Sequence, residues 1–222
     1  MDGMGTPVAR LGYQGSFDPG YAFQGQARQF LARVRRTDLA SKAANGALRE
    51  TLKRRRPGKV PTTDFLIALE RAWARMPASD SVLCRIQRER GRLSIRDLRI
   101  APCELVHGED HNGPPEVGLL LAVCHLTIAR GVEELGVREQ AFVGFHALAR
   151  WYQRSFDQSD ASLMNDVSRL FVKRLTILAT DAEEFVVEAG SGSWRGEICE
   201  GTDSNQPILR VATFHGFGTR RP

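Results

Sequence analysis

The stretch VGLLLAVCHLTIA, Val117 to Ala129, decides the reading of the fold. It is apolar apart from His125 and Thr127, and Arg130 follows at once. It falls short of the roughly 18 uninterrupted apolar residues of a membrane helix. A continuous apolar run of this kind predicts a central strand covered on both faces. Upstream, Ser81 to Ile86 and Leu93 to Ile100 are β-type runs around the polar connection Gln87 to Arg92, a predicted hairpin whose second strand carries a bulge. Downstream, after Arg130 to Gly136, a strand or helix start at Val137 to Phe145 leads to a helix near His146 to Phe156. Ser159 or Asp160 then caps a long helix to about Ala179. Phe185 to Ala189, Trp194 to Cys199 and Ile208 to His215 read as three closing strands, the first two joined by the turn Gly190-Ser191-Gly192-Ser193.

Before the hairpin the period changes to that of helices. Phe23, Ala27, Phe30, Leu31 and Val34, then Leu39, Ala43, Ala44, Ala47, Leu48 and Leu52, fit two helices broken near Thr37 and Asp38. Pro57 and Pro61 stop the second, and Thr62 or Thr63 caps a third over Asp64 to Met76, with Trp73 on its core face. The fold class is therefore α+β: N-terminal helices followed by a mostly antiparallel sheet packed with two helices. Residues 1–20, rich in glycine, read as a mobile leader, 21–76 as a basic helical region and 77–222 as the α+β domain. At 42% hydrophobic and 26% charged, the 222 residues lie in the globular range, which excludes collagen, wholesale disorder and simple coiled coil. The start MDGMGTPVAR lacks the basic and apolar segments of a signal peptide, so a cytoplasmic protein without membrane association is expected. Cys84, Cys103, Cys124 and Cys199 form no CxxC pair and are expected as reduced core thiols rather than zinc ligands.

The net charge of +5 conceals an asymmetry. Through Pro61 there are nine Arg and three Lys against four acids, a net of +8; the remainder carries 19 basic and 22 acidic residues, a net of −3. The densest basic run is Lys53, Arg54, Arg55 and Arg56, which attracts polyanions irrespective of their sequence and is the first candidate nucleic-acid contact. A solvated basic helix face is the alternative reading of the same charges.

The second candidate lies in FHALARWYQR, Phe145 to Arg154. On a helix, Phe145, Leu148, Ala149, Tyr152 and Phe156 share a buried face, while His146, Arg150 and Arg154 fall at about 0°, 40° and 80°, off that face. An imidazole moves protons near neutrality, and two guanidinium forks one turn apart hold a phosphodiester. Pairing of the arginines with Glu183, Glu184, Glu188 or Glu197 is the alternative. His215 ends the last strand before Gly216, and Arg195 lies on the strand before it. Were they to converge, His146 and His215 would be the catalytic pair and Arg150, Arg154 and Arg195 the nucleic-acid-binding cations, a set sufficient for cleavage through a ribose 2′-hydroxyl without metal or other cofactor.

The order FHALARWYQRS, a helix, then FVVEAG, SWRGEI and PILRVATFHGF resembles the small BrnT and RelE-like toxin proteins and their relatives of unknown function over about 75 of the 222 residues. The resemblance implies a compact helix-plus-sheet domain, metal-independent mRNA cleavage, and roles for His146, Arg150 and Arg154. Here the intervening helix is longer, and a central strand and three helices precede it. The loop His107-Gly108-Glu109-Asp110-His111 offers metal-type ligands in a turn without helical register, and no P-loop, GxGxxG or GxSxG motif is present. The sequence thus predicts a nucleic-acid-associated protein, either a ribonuclease-like enzyme or a binding scaffold for nucleic acid or an acidic protein partner.

Overall fold

The computed structural model describes residues 19–56, 58–76, 81–105, 116–180, 182–200 and 206–217. The His107 to His111 loop and the leader to Asp18 lie outside these residues. The chain is α+β. Helix α1, Pro19–Leu52, is followed by α2, Thr63–Trp73, capped by the Thr62 hydroxyl, which accepts from Phe65 N. Four strands follow, β1 Ser81–Glu89, β2 Arg92–Leu105, β3 Glu116–Ala129 and β4 Val132–Gly144. Then come α3 Phe145–Arg154, α4 Asp160–Leu178, and strands β5 Glu184–Glu188, β6 Gly192–Glu200 and β7 Pro207–Gly216. The seven strands make one sheet in the order β1-β2-β3-β4-β7-β6-β5. Two antiparallel meanders meet at its centre, where β4 and β7 run parallel over Ala141–Val143 and Leu209–Val211.

Two sequence expectations are corrected. The region from Tyr21 to Leu52 is one helix, continuous through Thr37 and Asp38. Both residues cap well, but neither breaks a helix as proline does, and both ends of α1 are tied down. Ala27, Phe30, Leu31 and Val34 pack in the main core, Leu48 and Leu52 in a second one. The segment Val132 to Gly136 belongs to strand β4 and is not a connection; it escapes a hydrophobic pattern because its side chains are mostly exposed.

The long strands serve both cores. On β2, Leu98 and Ile100 pack in the main core with α3 and α4, whereas Leu93 and Ile95, of opposite parity, pack in the second core against Leu66, Leu69 and Trp73 of α2. Alternation of side chains puts these sets on opposite faces of the strand, so the helical region and the sheet share their interiors. Trp73, read as core, is buried, and its indole donates to Asp97 Oδ2 at 3.0 Å. Asp97 also accepts from Ser81 Oγ and from Arg99 Nη1 at 2.9 Å, which compensates the burial of its charge. None of the four cysteines forms a disulfide, but Cys84 is exposed on β1 rather than in the core. Burial raises the Cys124 thiol to about 11. Among the described residues no helix is long and apolar enough to cross a membrane.

Candidate nucleic-acid interface at the end of the sheet

Strand β4 leaves the sheet at Gly144 and the chain continues as α3. Because β7 pairs with β4 only as far as Val211, the remainder of β7 has an open edge on that side, and α3 lies along it. Arg154 Nη1 donates to the Phe214 carbonyl at 2.7 Å, satisfying an acceptor that a ladder would otherwise use. The approach is tight: a Cβ at Gly216 would lie 2.7 Å from Arg154 Cβ, which is why glycine stands there.

α3 is buried on more sides than its wheel predicts. Ala147 and Trp151 are fully buried together with Leu148 and Tyr152, while Phe156, expected on the buried face, lies beyond the helix and is 79% exposed. His146 remains exposed, and Arg150 and Arg154 are half-buried. Arg150 Nε approaches His146 Nε2 at 3.5 Å and its Nη1 donates to Gln153 Oε1 at 2.8 Å. None of the glutamates considered as partners holds these arginines through a described ion pair; Glu197 instead pairs with Arg210, which also grips Glu116.

Arg195 and His215 come from the adjoining strands. Ser193 pairs with His215, Trp194 with Phe214 and Arg195 with Thr213. Trp194 and Phe214 point into the core, edge to face with ring centres 4.6 Å apart. Alternation therefore turns Arg195 and His215 to the opposite face. His215 is held below its ordinary value of 6.5, first by partial loss of hydration, then by the positive fields of Arg195, Arg154 and Arg150. The positive fields of the three predicted guanidiniums thus reach this exposed imidazole, and Arg150 also lies 3.5 Å from His146 Nε2. A groove of about 570 Å³ lined by Arg195, Thr213 and Ala212 continues over β5 and β6, where Arg210, Glu184 and Glu197 also line it.

One residue outside the predicted set fixes this geometry. Asp166 of α4 is buried and accepts from Trp151 Nε1 at 2.9 Å, from Gly190 N at 2.7 Å and from Ser191 Oγ at 3.0 Å. Its carbonyl accepts from Trp194 Nε1 at 3.0 Å. It therefore joins α3, α4, the β5–β6 turn and β6. The signal was present in the sequence: an acid at the helical spacing of Leu163, Val167 and Leu170 sits where an apolar residue is expected.

The predicted run Lys53 to Arg56 is not brought to this site. Arg55 is tied to the β3–β4 turn, with Nη1 to Glu133 at 2.6 Å and Nη2 to the Ala129 carbonyl at 2.8 Å, and Lys53 pairs with Glu50. Arg54 and Arg56 are exposed. Glu133 begins β4 and His146 follows its end, so 13 residues at about 3.3 Å each separate the two regions by about 40 Å. Among the described residues, no group of three or more His, Cys, Asp or Glu side chains is arranged to hold a metal ion. No family model, curated protein or solved structure matches the chain.

Proposed function

We propose that the α3–β7 end of the sheet binds the phosphodiester backbone of RNA, with Arg150, Arg195 and the remaining donors of Arg154 around the phosphate. The observation that carries this reading is the placement of Arg154, bound to the Phe214 carbonyl beside His215, and of Arg195, on the same face of the adjoining strand, so that with Arg150 their positive fields act on His215. Like charges gathered at one exposed point favour an anion. His215, shifted towards its neutral form first by desolvation and then by that field, is suited to act as a general base. It would take the proton of a ribose 2′-hydroxyl, whose oxygen then attacks phosphorus; the 5′-oxygen leaves and takes a proton from water, and the arginines stabilise the extra charge. This chemistry agrees with the activity implied by the BrnT and RelE-like resemblance. The test is incubation with an RNA oligonucleotide and with its 2′-deoxy counterpart in the presence of chelator. RNA products ending in 2′,3′-cyclic phosphate, absent for the deoxy substrate and for His215→Ala, are the expected result.

A non-enzymatic binding role is the second reading, and one observation favours it. His146 Nε2 faces the Arg150 guanidinium of its own helix at 3.5 Å, and no described hydrogen bond joins it to His215, so the two histidines are not held together as an acid and base pair. RNA retained without cleavage by the intact protein would select that reading.

A further inference from the structure

A second cation cluster lies where α1 turns into α2, about 40 Å along β4 from the first. There a cavity of about 400 Å³ is lined by Arg54, Arg55, Arg56 and Lys59, with Pro61 and Phe65 on its apolar side and no acidic side chain in its wall among the described residues. Gly58, at a φ of 75°, lets the chain turn so that Lys59 N donates to the Arg56 carbonyl, which gathers the cations around one space. Arg54, Arg56 and Lys59 are exposed and have no ion-pair partner among the described residues. Arg55 supports the cluster from below. Its side chain is only 9% exposed, its two terminal nitrogens are engaged by Glu133 and Ala129, and its Nε is buried without a hydrogen-bond partner. The first turn of α2 stands at the same wall, its positive helix end partly offset by Asp64 in that turn.

We propose that this corner binds a nucleoside 5′-phosphate. The phosphate dianion lies among Arg54, Arg56 and Lys59, with Arg55 Nε as a further donor, and the base lies on Phe65 and Pro61. A phosphomonoester suits three cations without a described ion-pair partner better than a phosphodiester because it carries the greater charge, and the apolar wall suits a planar ring that inorganic phosphate lacks. The ligand is either a free nucleotide or the 5′-phosphorylated end of a nucleic-acid strand. The site is independent of the α3–β7 reading.

Calorimetric titration of the full chain with adenosine 5′-monophosphate, adenosine and inorganic phosphate tests it. The expected result is saturable binding of the nucleotide, none of adenosine, and inorganic phosphate at least about tenfold weaker. The double variant Arg54→Gln/Arg56→Gln should lose at least about tenfold in nucleotide affinity with an unchanged melting temperature, since both side chains are exposed. Arg150→Gln/Arg195→Gln should bind the nucleotide as the parent does, so failure of the RNA reading leaves this result standing. A 5′-phosphorylated oligonucleotide binding more tightly than its 5′-hydroxyl form would identify a strand end as the source, and equal affinities a free nucleotide. Absence of saturable nucleotide binding, equal affinity for inorganic phosphate, or binding unaltered by the double variant would overturn the proposal.

Discussion

His215 reports the electrostatics of the site through its own titration. Folding favours its neutral form, so the folded chain binds fewer protons there than the unfolded chain. This residue's contribution to stability is therefore full above the unfolded value of 6.5 and is lost as pH falls through 6.5 towards the folded value. NMR titration of the His215 ring should give a midpoint below 6.5 that moves up in Arg195→Gln and on saturation with an RNA oligonucleotide, because each change weakens the positive field. A midpoint indifferent to both would contradict the convergence. The stripe on α3 is uneven in a way the helical wheel does not show. His146→Ala should change stability by no more than about 0.5 kcal/mol, as at other exposed positions. Arg154→Gln should cost about 1–2 kcal/mol because it removes a charged donor from the Phe214 carbonyl. Thermal denaturation of the two variants distinguishes these costs.

At the scale of elements, α3 and β6 keep their relation through Asp166. Asp166→Ala would leave the donors of Trp151, Gly190 and Ser191 buried without a partner, and a loss of about 3 kcal/mol or more in denaturant unfolding is expected. A loss below about 1 kcal/mol would show that water replaces the carboxylate. Much of this layer was legible. The caps Thr62 and Ser159, the hairpin, and the last three strands follow from capping chemistry, turn residues and period two. Two features were not. A helix that passes through Thr37 and Asp38 is held by packing at its two ends, which local propensity does not contain. The exposed first half of β4 has no buried face to write an alternation into its sequence. The residue types of the candidate set, His146, Arg150, Arg154, Arg195 and His215, could be named from the sequence. Their convergence depends on β4 yielding the edge of β7 to α3, and no local pattern states that. The engagement of Arg55 by Glu133, 78 residues away, is likewise a tertiary fact.

For the whole molecule, the charge asymmetry is partly answered within the chain. Arg33 Nη2 donates to both carboxylate oxygens of Asp160 at 2.6 and 2.9 Å, Arg35 faces Glu104 at 3.8 Å and Arg55 holds Glu133, so cations of the basic front end meet acids of the remainder. Arg28 lies over the Phe145 ring at 5.7 Å, beside the start of the site helix. Because α1 also supplies buried residues to both cores, removing residues 1–61 should abolish the cooperative unfolding transition and not merely weaken polyanion binding. A truncated chain with an intact transition would show that the sheet folds without its first helix. The most direct measurement of the central claim is the affinity of a single-stranded RNA oligonucleotide at several salt concentrations for the parent and for Arg150→Gln/Arg195→Gln. The account predicts at least about a tenfold loss and a salt slope reduced by about 1.4, two single-strand phosphate contacts at about 0.7 each, with an unchanged melting temperature. Equal affinity and equal slope in the folded variant would contradict it.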